Sequence, residues 1–279
     1  MEAEGGGDDD DGEMELLAIL HQEDRGELVE EEEEERWGNQ PPPGEQEQRY
    51  QLRSIETILV IRQLPSQGLS FQLWPAASSL VSLLDHNPSL LLAALPAGRR
   101  RPPNLNVLEL GSGTGLVGIA AAAVLGARVA VTDLPHVLPN LRFNALANAA
   151  AVGARGGSVE ARQLRWGHHG EDAAGLGGGA GFDLVLASDV VYHDHLFDPL
   201  LRTLRFFVRG EAAFVMAHLR RWKKRDSVFF RSARKLFDVT VVHTDPPLPG
   251  SRVGVAIYRF VQKGSPSCVG TAAGDAASC

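Results

Sequence analysis

The stretch NVLELGSGTGLVGIAAAAVLGARVAVTD, residues 106–133, restricts the possible folds more than any other part of the chain. An apolar run ends at Leu110, and four glycines follow within eight positions. An alanine-rich segment and a second apolar run, which ends at Asp133, come next. A strand that turns through glycines into a helix and then into another strand is the opening unit of a parallel α/β sheet. The sequence therefore predicts an α/β domain built around this unit.

Apolar and helical runs also alternate through the rest of the chain. Unbroken apolar runs such as 184–187 favour a sheet covered by helices on both faces. Only the turn-rich segment DPPLPGSR separates the last two apolar runs, which is too short for a helical crossover. We therefore expect a doubly wound, Rossmann-like sheet that is mostly parallel and carries a C-terminal antiparallel hairpin at its edge. Predicted strands lie at 56–64, 105–110, 128–133, 158–164, 182–192 with an exit loop, 211–219, 237–244 and 253–261, and predicted helices start at Pro75 and cover 116–125, 136–150, 195–208 and 226–237.

Charge divides the chain into a head and a body. Residues 1–36 hold 17 of the 35 acidic residues and only two arginines, a local sum of −15 against −8 for the whole chain, so the remainder carries about +7. We interpret residues 1–48 as a disordered acidic and proline-rich head, 49–263 as one catalytic domain and 264–279 as a disordered tail.

The composition also narrows the setting in which the protein works. Cys268 and Cys279 both lie in the tail, where they build neither a disulfide framework nor a cysteine metal site. The N-terminus is acidic, unlike a signal or transit peptide, and no apolar run has the ~18 residues that a membrane span requires. We expect a soluble protein of the cytoplasm, or of cytoplasm and nucleus, that does not engage a membrane.

The glycine-rich turn is the first candidate site. Gly111, Gly113 and Gly115 allow a ligand to approach the backbone closely, and Asp133 at the end of the next strand suits the two hydroxyls of a ribose. A tight turn without ligand is the alternative. Gly113, Gly115 and Gly118 also match the dinucleotide pattern G-x-G-x-x-G, so the spacing alone does not choose between nucleoside cofactors.

A second candidate site follows the run FDLVLA. Ser188, Asp189 and Tyr192 come just after the carboxyl end of this predicted strand, where open sheets bind ligands. With LELGSGTG, this pattern resembles the class I, seven-stranded S-adenosylmethionine-dependent methyltransferases. Asp-x-x-Tyr resembles the signature of methyltransferase family 16, whose members methylate lysine side chains, largely of non-histone proteins.

The resemblance covers about 50–263 and implies S-adenosylmethionine as cofactor, a protein substrate and a role for each matching residue. GLSFQLWPAA resembles the segment whose tryptophan, here Trp74, lines the cofactor pocket, and LRWG resembles the turn whose tryptophan, here Trp166, lies beside the adenine. Asp189 and Tyr192 are the implied catalytic residues. The implied cofactor-binding residues are Trp74, Glu109, Gly111, Ser112, Gly113, Gly115, Asp133, Trp166 and Ser188.

Several features have plainer interpretations. His193 and His195, like the pair His168 and His169, lack the further ligands that a metal site needs, so we expect solvated histidines and no metal. The glycine run 175–181 is interpreted as a surface linker. The segment 218–235 carries eight Arg or Lys residues and is interpreted as a solvated helical face, with docking of acidic protein or RNA as the alternative. It contains no recognisable nucleic-acid-binding module, so a nucleic-acid partner is not expected.

Three other functions stay open at this level. A non-catalytic binding module could retain the cofactor fold, a small-molecule methyltransferase would share the glycine loop, and a dinucleotide oxidoreductase would share its regular expression.

Overall fold

A computed structural model describes residues 44–93, 95, 105–168, 176, 181–247 and 253–264. The expected head before Gly44 and the expected tail after Gly264 lie outside these residues. The sequence analysis placed residues 46–48 in the head, but among the described residues the first strand begins at Gln46 and includes them. The charged, proline-free run from Gln46 to Leu52 shows little apolar periodicity, and it forms a strand because it pairs with the apolar run that follows.

The secondary structure follows the predicted alternation closely. The helix 116–125 and the strand 128–133 have the predicted bounds, whereas the helix predicted at 136–150 is divided into a 3₁₀ turn and two helices. The strands are β1 Gln46–Leu52, β2 Thr57–Gln63, β3 Asn106–Leu110, β4 Arg128–Asp133, β5 Ser158–Gln163, β6 Leu184–Ser188, β7 Ala213–Leu219, β8 Phe237–Thr244 and β9 Val255–Gln262. The helices are α1 Pro75–His86, α2 Pro88–Leu92, α3 Leu116–Leu125, α4 Leu138–Ala147, α5 Ala149–Gly153, α6 Phe197–Phe207 and α7 Lys223–Leu236.

The main sheet has seven strands in the order β5-β4-β3-β6-β7-β9-β8. The first five of these pair in parallel, and β9 pairs antiparallel with both β7 and β8. The Rossmann-like sheet and the C-terminal hairpin at its edge are therefore confirmed. The strand order reverses between β3 and β6, which is the point where open α/β sheets bind ligands at the carboxyl ends of the strands.

Two hydrophobic layers bury the two faces of this sheet. One layer holds α1 and α3, and the alanines of α3 let it lie close to the strands. The other holds α6 and α7, whose aromatic residues pack on β6, β7 and β9. None of the helices in the described ranges is both long and apolar enough to cross a membrane.

The N-terminal hairpin β1–β2 forms a separate two-stranded sheet that the pattern of the sequence did not predict. Within the described residues, the outer edge of β2 pairs with the side chains of Asn144 on α4 and Asn148 just after it, and not with a strand. Asn148 exchanges hydrogen bonds with the backbone of Val60 at 2.9 and 2.8 Å, and Asn144 does the same with Arg62 at 2.9 and 3.0 Å. Spaced one turn apart, these amides satisfy backbone groups that an unpaired edge would leave exposed.

Candidate active site

The glycine loop lies between β3 and α3, with Gly113 at φ 53°. An added Cβ on Gly113 would lie 2.8 Å from the carbonyl oxygen of Ser70, and one on Gly111 would lie 3.0 Å from the ring of Trp166. From the sequence, we expected these glycines to make room for a ligand. In the structure they first make room for the segments that carry Trp74 and Trp166, and so bring both segments against the loop.

Glu109, on β3 just before this loop, is 1% exposed. Its Oε2 accepts a hydrogen bond of 3.0 Å from the backbone N–H of Gly118 in the first turn of α3. Burial raises the pKa of Glu109 to about 8, and hydrogen bonding from Ser112 and Gly118 offsets only part of this effect. A side chain at position 118 would crowd this bond, because an added Cβ on Gly118 would lie 2.6 Å from the same carboxylate oxygen.

Asp133, at the carboxyl end of β4, is also nearly buried, with 9% of its surface exposed. Its Oδ2 accepts a bond of 2.7 Å from Gly113 N–H, and its Oδ1 accepts one of 2.8 Å from Leu134 N–H. Burial raises the pKa of Asp133 despite these bonds. The hydroxyl of Ser112 accepts a bond of 2.9 Å from Thr132 N–H, so the side chain of Ser112 fastens the loop to β4.

The two carboxyl groups fit a cationic nucleoside. No lysine or arginine of the described chain forms an ion pair with Glu109 or Asp133, and each carboxylate oxygen that accepts a backbone bond keeps a second lone pair. Buried carboxylates without cationic partners favour a ligand that carries positive charge and hydroxyl donors. S-adenosylmethionine carries a sulfonium, an ammonium and two ribose hydroxyls, so the residues present suit it.

Asp189 follows β6, the neighbour of β3, and its carboxylate is held from several sides. It has φ 54°, a left-handed conformation that is uncommon outside glycine. Its Oδ1 accepts a bond of 3.0 Å from Leu219 N–H, and its Oδ2 accepts one of 3.0 Å from Arg221. Burial alone would raise the pKa of Asp189, but His218 and Arg221 hold it below its ordinary value. The site therefore presents an ionised carboxylate in a strained and over-determined position.

Sequence reasoning missed two residues behind Asp189. His218 on β7 places Nδ1 3.3 Å from Asp189 Oδ1 and Nε2 3.4 Å from Oδ2 of Asp226 on α7. Both residues are at most 1% exposed. Burial lowers the pKa of His218, but the two carboxylates outweigh this effect and raise it. The segment HLRRWKKRD contains both residues and begins at the end of β7, the strand next to β6, which could have indicated a role at the site. Its basic composition suggested a solvated helical face instead.

The other predicted residues surround the same edge of the sheet. Trp74 precedes α1, its indole N–H bonds to Leu69 O at 3.1 Å, and the guanidinium of Arg221 lies 5.3 Å from its ring centre. Tyr192 is partly buried, and its carbonyl accepts a bond of 3.1 Å from Arg225. Ser188 ends β6, and Gly115 is the N-cap residue just before α3. Arg221 links Trp74 to Asp189, and Gly113 contacts Ser70 in the segment before Trp74, so the two candidate sites of the sequence meet at one edge of the sheet.

Comparison with known proteins decides the family. A sequence profile described as lysine methyltransferase (methyltransferase family 16) matches residues 54–236, about two thirds of the chain. The chain belongs to this family of lysine methyltransferases.

Named relatives of this lysine methyltransferase agree. Protein N-lysine methyltransferase METTL21A of Danio rerio is 33% identical over 198 residues, which cover 71% of this chain and 80% of the relative. Protein-lysine methyltransferase METTL21E of Mus musculus is 30% identical over 190 residues, covering 68% of this chain and 70% of the relative. Among solved structures, a predicted O-methyltransferase of Agrobacterium tumefaciens has a TM-score of 0.45 and 20% identity, covering 63% of this chain and 81% of that one.

The histidines beside the site of this lysine methyltransferase stack on one another. The rings of His193 and His195 lie 5.1 Å apart, and the ring of Tyr192 lies 4.9 Å from that of His193. Among the residues described, no three His, Cys, Asp or Glu side chains converge as metal ligands. His169 and all of the glycine run except residues 176 and 181 lie outside the described ranges.

Proposed function

We propose that this protein transfers a methyl group from S-adenosylmethionine to the side-chain amine of a lysine in a protein substrate. The observation that carries the proposal is that Asp189 and the glycine loop emerge at the same edge of two adjacent parallel strands, with Glu109 on β3 paired with Leu186 on β6. Family membership and the names of the relatives support lysine as acceptor and protein as substrate.

Residues of the loop and the two neighbouring strand ends would hold the cofactor. Asp133 suits the ribose hydroxyls, Glu109 suits the positive charge, and the half-buried Trp166 suits an aromatic base. When bound, the cofactor supplies a methyl group on a sulfonium, whose sulfur leaves as a neutral thioether. The cofactor-binding residues proposed from the sequence keep these roles: Trp74, Glu109, Gly111, Ser112, Gly113, Gly115, Asp133, Trp166 and Ser188.

The acceptor amine must be neutral to attack, with loss of one proton from its ammonium form. At neutral pH this deprotonation costs about 4.6 kcal/mol for an unperturbed lysine. Desolvation in the cleft and the nearby sulfonium both lower the pKa of the incoming lysine. The nitrogen then forms the new C–N bond as the C–S bond breaks, and the proton passes to solvent.

Asp189 orients the amine and does not act as its general base. Because His218 and Arg221 hold its pKa low, the carboxylate is a poor proton acceptor but a good hydrogen-bond acceptor for an ammonium or amine. Arg221 shares Asp189 Oδ2, so an incoming amine must share that carboxylate with the guanidinium. Tyr192 contributes a ring face that favours a cationic amine.

The experiment is transfer of radiolabelled methyl from S-adenosylmethionine into a nuclease-treated cell extract, resolved by size. The protein is used as the full chain, as Asp189→Asn, and as Asp198→Asn, a control at an exposed position in the first turn of α6. We expect a discrete labelled protein band with the native chain and the control, and loss of the band with Asp189→Asn, whereas binding of S-adenosylmethionine survives in all three.

Two outcomes would count against the proposal. Label that appears only in low-mass product would assign a small-molecule acceptor. Cofactor binding without transfer to any acceptor would assign a binding module. The labelled band is hydrolysed to amino acids, and chromatography against mono-, di- and trimethyl-lysine standards identifies the modified residue type.

A further inference from the structure

A cavity of about 330 Å³ lies between α7 and β9, outside the cleft described above. Its wall carries three arginines, and Phe230 and Tyr258 supply an aromatic surface with ring centres 4.5 Å apart. The lining residues are Arg220, Ser227, Phe230, Arg231, Arg234 and Tyr258.

The charges of this cavity are uncompensated. Within the described ranges no carboxylate forms an ion pair with Arg220, Arg231 or Arg234. The Nε of Arg220 is buried without a hydrogen-bond partner, which is costly for a charged donor. Asp226, next to the lining residue Ser227 in the sequence, is fully buried and faces His218. Guanidinium forks around an aromatic surface are suited to carboxylate or phosphate groups.

The cavity adjoins the candidate active site along the chain. Arg220 follows β7 directly, and the next residue, Arg221, contacts Asp189. Leu219, on the other side of Arg220, donates its N–H to the same carboxylate. A substrate segment whose lysine reaches Asp189 therefore passes close to the cavity. From there α7 carries Arg231 and Arg234 away from the cleft.

We propose that this cavity, between α7 and β9, binds an acidic segment of the protein substrate and so selects lysines that lie near clustered Asp or Glu residues. This inference rests on the proposed function, since it names the substrate class of the same site. The ligand is an acidic peptide, because the neighbouring cleft accepts a protein side chain and the cavity offers only cations, hydroxyls and aromatic rings.

A binding measurement tests the cavity without relying on catalysis. The probe is a fluorescein-labelled peptide with one lysine followed by a glycine spacer and a run of glutamates, compared with the same peptide carrying glutamines. Anisotropy is measured with the full native chain and with Arg231→Gln/Arg234→Gln. The matched control is Arg142→Gln/Arg155→Gln, which removes the same charge from two exposed positions of the α4–α5 region.

We expect the glutamate peptide to bind better than the glutamine peptide, and the cavity variant to bind it about tenfold more weakly, the combined effect of two exposed charge-assisted contacts. The control should bind as the native chain does. In the labelling assay, the cavity variant should lose the protein band more than the control, at unchanged cofactor affinity. Equal losses in both variants would reduce the effect to net charge and overturn the proposal.

Three further outcomes separate this inference from its competitors. One outcome concerns a full-chain variant in which Glu30–Glu35 are all changed to glutamine. If this variant binds the peptide more strongly than the native chain, the occupant of the cavity is the chain's own acidic head and not a substrate. If the peptide binds as expected but the protein band is unchanged in the cavity variant, the cavity does not recruit the substrate. If the peptide binds and no methyl transfer exists at all, the proposed function fails, and the cavity remains an acidic-peptide site of another function.

Discussion

At the scale of single residues, burial without a cationic partner sets the chemistry of Glu109. A carboxyl whose pKa is raised from 4.5 to about 8 binds its proton more tightly in the folded chain than in the unfolded chain. Its effect on stability is therefore most favourable at low pH and is lost as the pH rises from 4.5 through about 8.

Glu109→Gln tests the direction of this pH dependence of stability. Glutamine keeps an oxygen for Gly118 N–H but has no proton to lose. We expect the variant to melt at a higher temperature than the native chain near pH 8, with the difference closing toward about pH 5. Thermal unfolding across this range measures it, and a native chain that is the more stable one near pH 8 would contradict the burial argument.

Asp226 is a second single residue that affects the pH dependence of stability, and it acts through His218. Because the pKa of His218 is raised, its ion-pair contacts stabilise the fold fully below about pH 6.5 and are lost as the pH rises through its folded value. Asp226→Asn removes one of the two carboxylates that raise this pKa. We expect the decline in melting temperature above about pH 6.5 to be smaller and to end at lower pH in Asp226→Asn than in the native chain, and the His218 ring to titrate at lower pH by NMR. Asp198→Asn should leave both curves unchanged, and identical curves for Asp226→Asn would refute the coupling.

At the scale of elements, close packing of α3 against β4 depends on one missing side chain. A Cβ on Gly118 would lie 2.4 Å from Val131 on β4, whereas one on Gly153 at the end of α5 meets nothing within 4 Å. The alanines of α3 continue the same close approach. This close contact therefore fixes the position of the glycine loop, which joins β3 to the start of α3.

We predict opposite effects of alanine at these two glycines. Gly118→Ala should destabilise the fold by about 1–3 kcal/mol, since it overpacks the contact between α3 and β4. Gly153→Ala should be neutral or stabilise by about 0.5–1 kcal/mol, because it only restricts the unfolded chain. Urea unfolding gives both values, and a neutral Gly118→Ala would show that α3 shifts freely.

Another contact between elements joins the N-terminal hairpin to the loop. Asn144 on α4 bonds to Arg62 on β2, and its amide also donates to Thr114 O in the glycine loop at 2.9 Å. Asparagines recur every fourth residue in NLRFNALAN, a periodicity that shows a shared helix face but not what that face contacts. The sequence therefore shows the spacing, and only the fold shows that Asn144 connects the hairpin to the glycine loop.

At the scale of the whole molecule, the cleft lies where the strand order reverses, so cofactor binding should stabilise the entire domain. S-adenosylmethionine at about 100 times its Kd should add about 2.7 kcal/mol to the free energy of unfolding. Asp133→Ala should reduce this gain at the same concentration, because the ribose loses its carboxylate partner. Asp198→Ala, at an exposed position, should keep it. Thermal unfolding with and without cofactor measures the gain, and an equal gain in Asp133→Ala would refute the ribose assignment.

The sequence by itself determined the parallel sheet, its antiparallel edge hairpin and the glycine loop, because strand periodicity, turn residues and connection length act over short distances along the chain. It placed Asp133 and Asp189 at strand ends for the same reason. Only the tertiary structure decided that His218 and Asp226 stand behind Asp189 and that Asn144 and Asn148, at the end of α4, complete the edge of β2. The bond between Asn148 and Val60 joins positions 88 residues apart, and no local pattern encodes a contact whose partners meet only when the sheet is assembled.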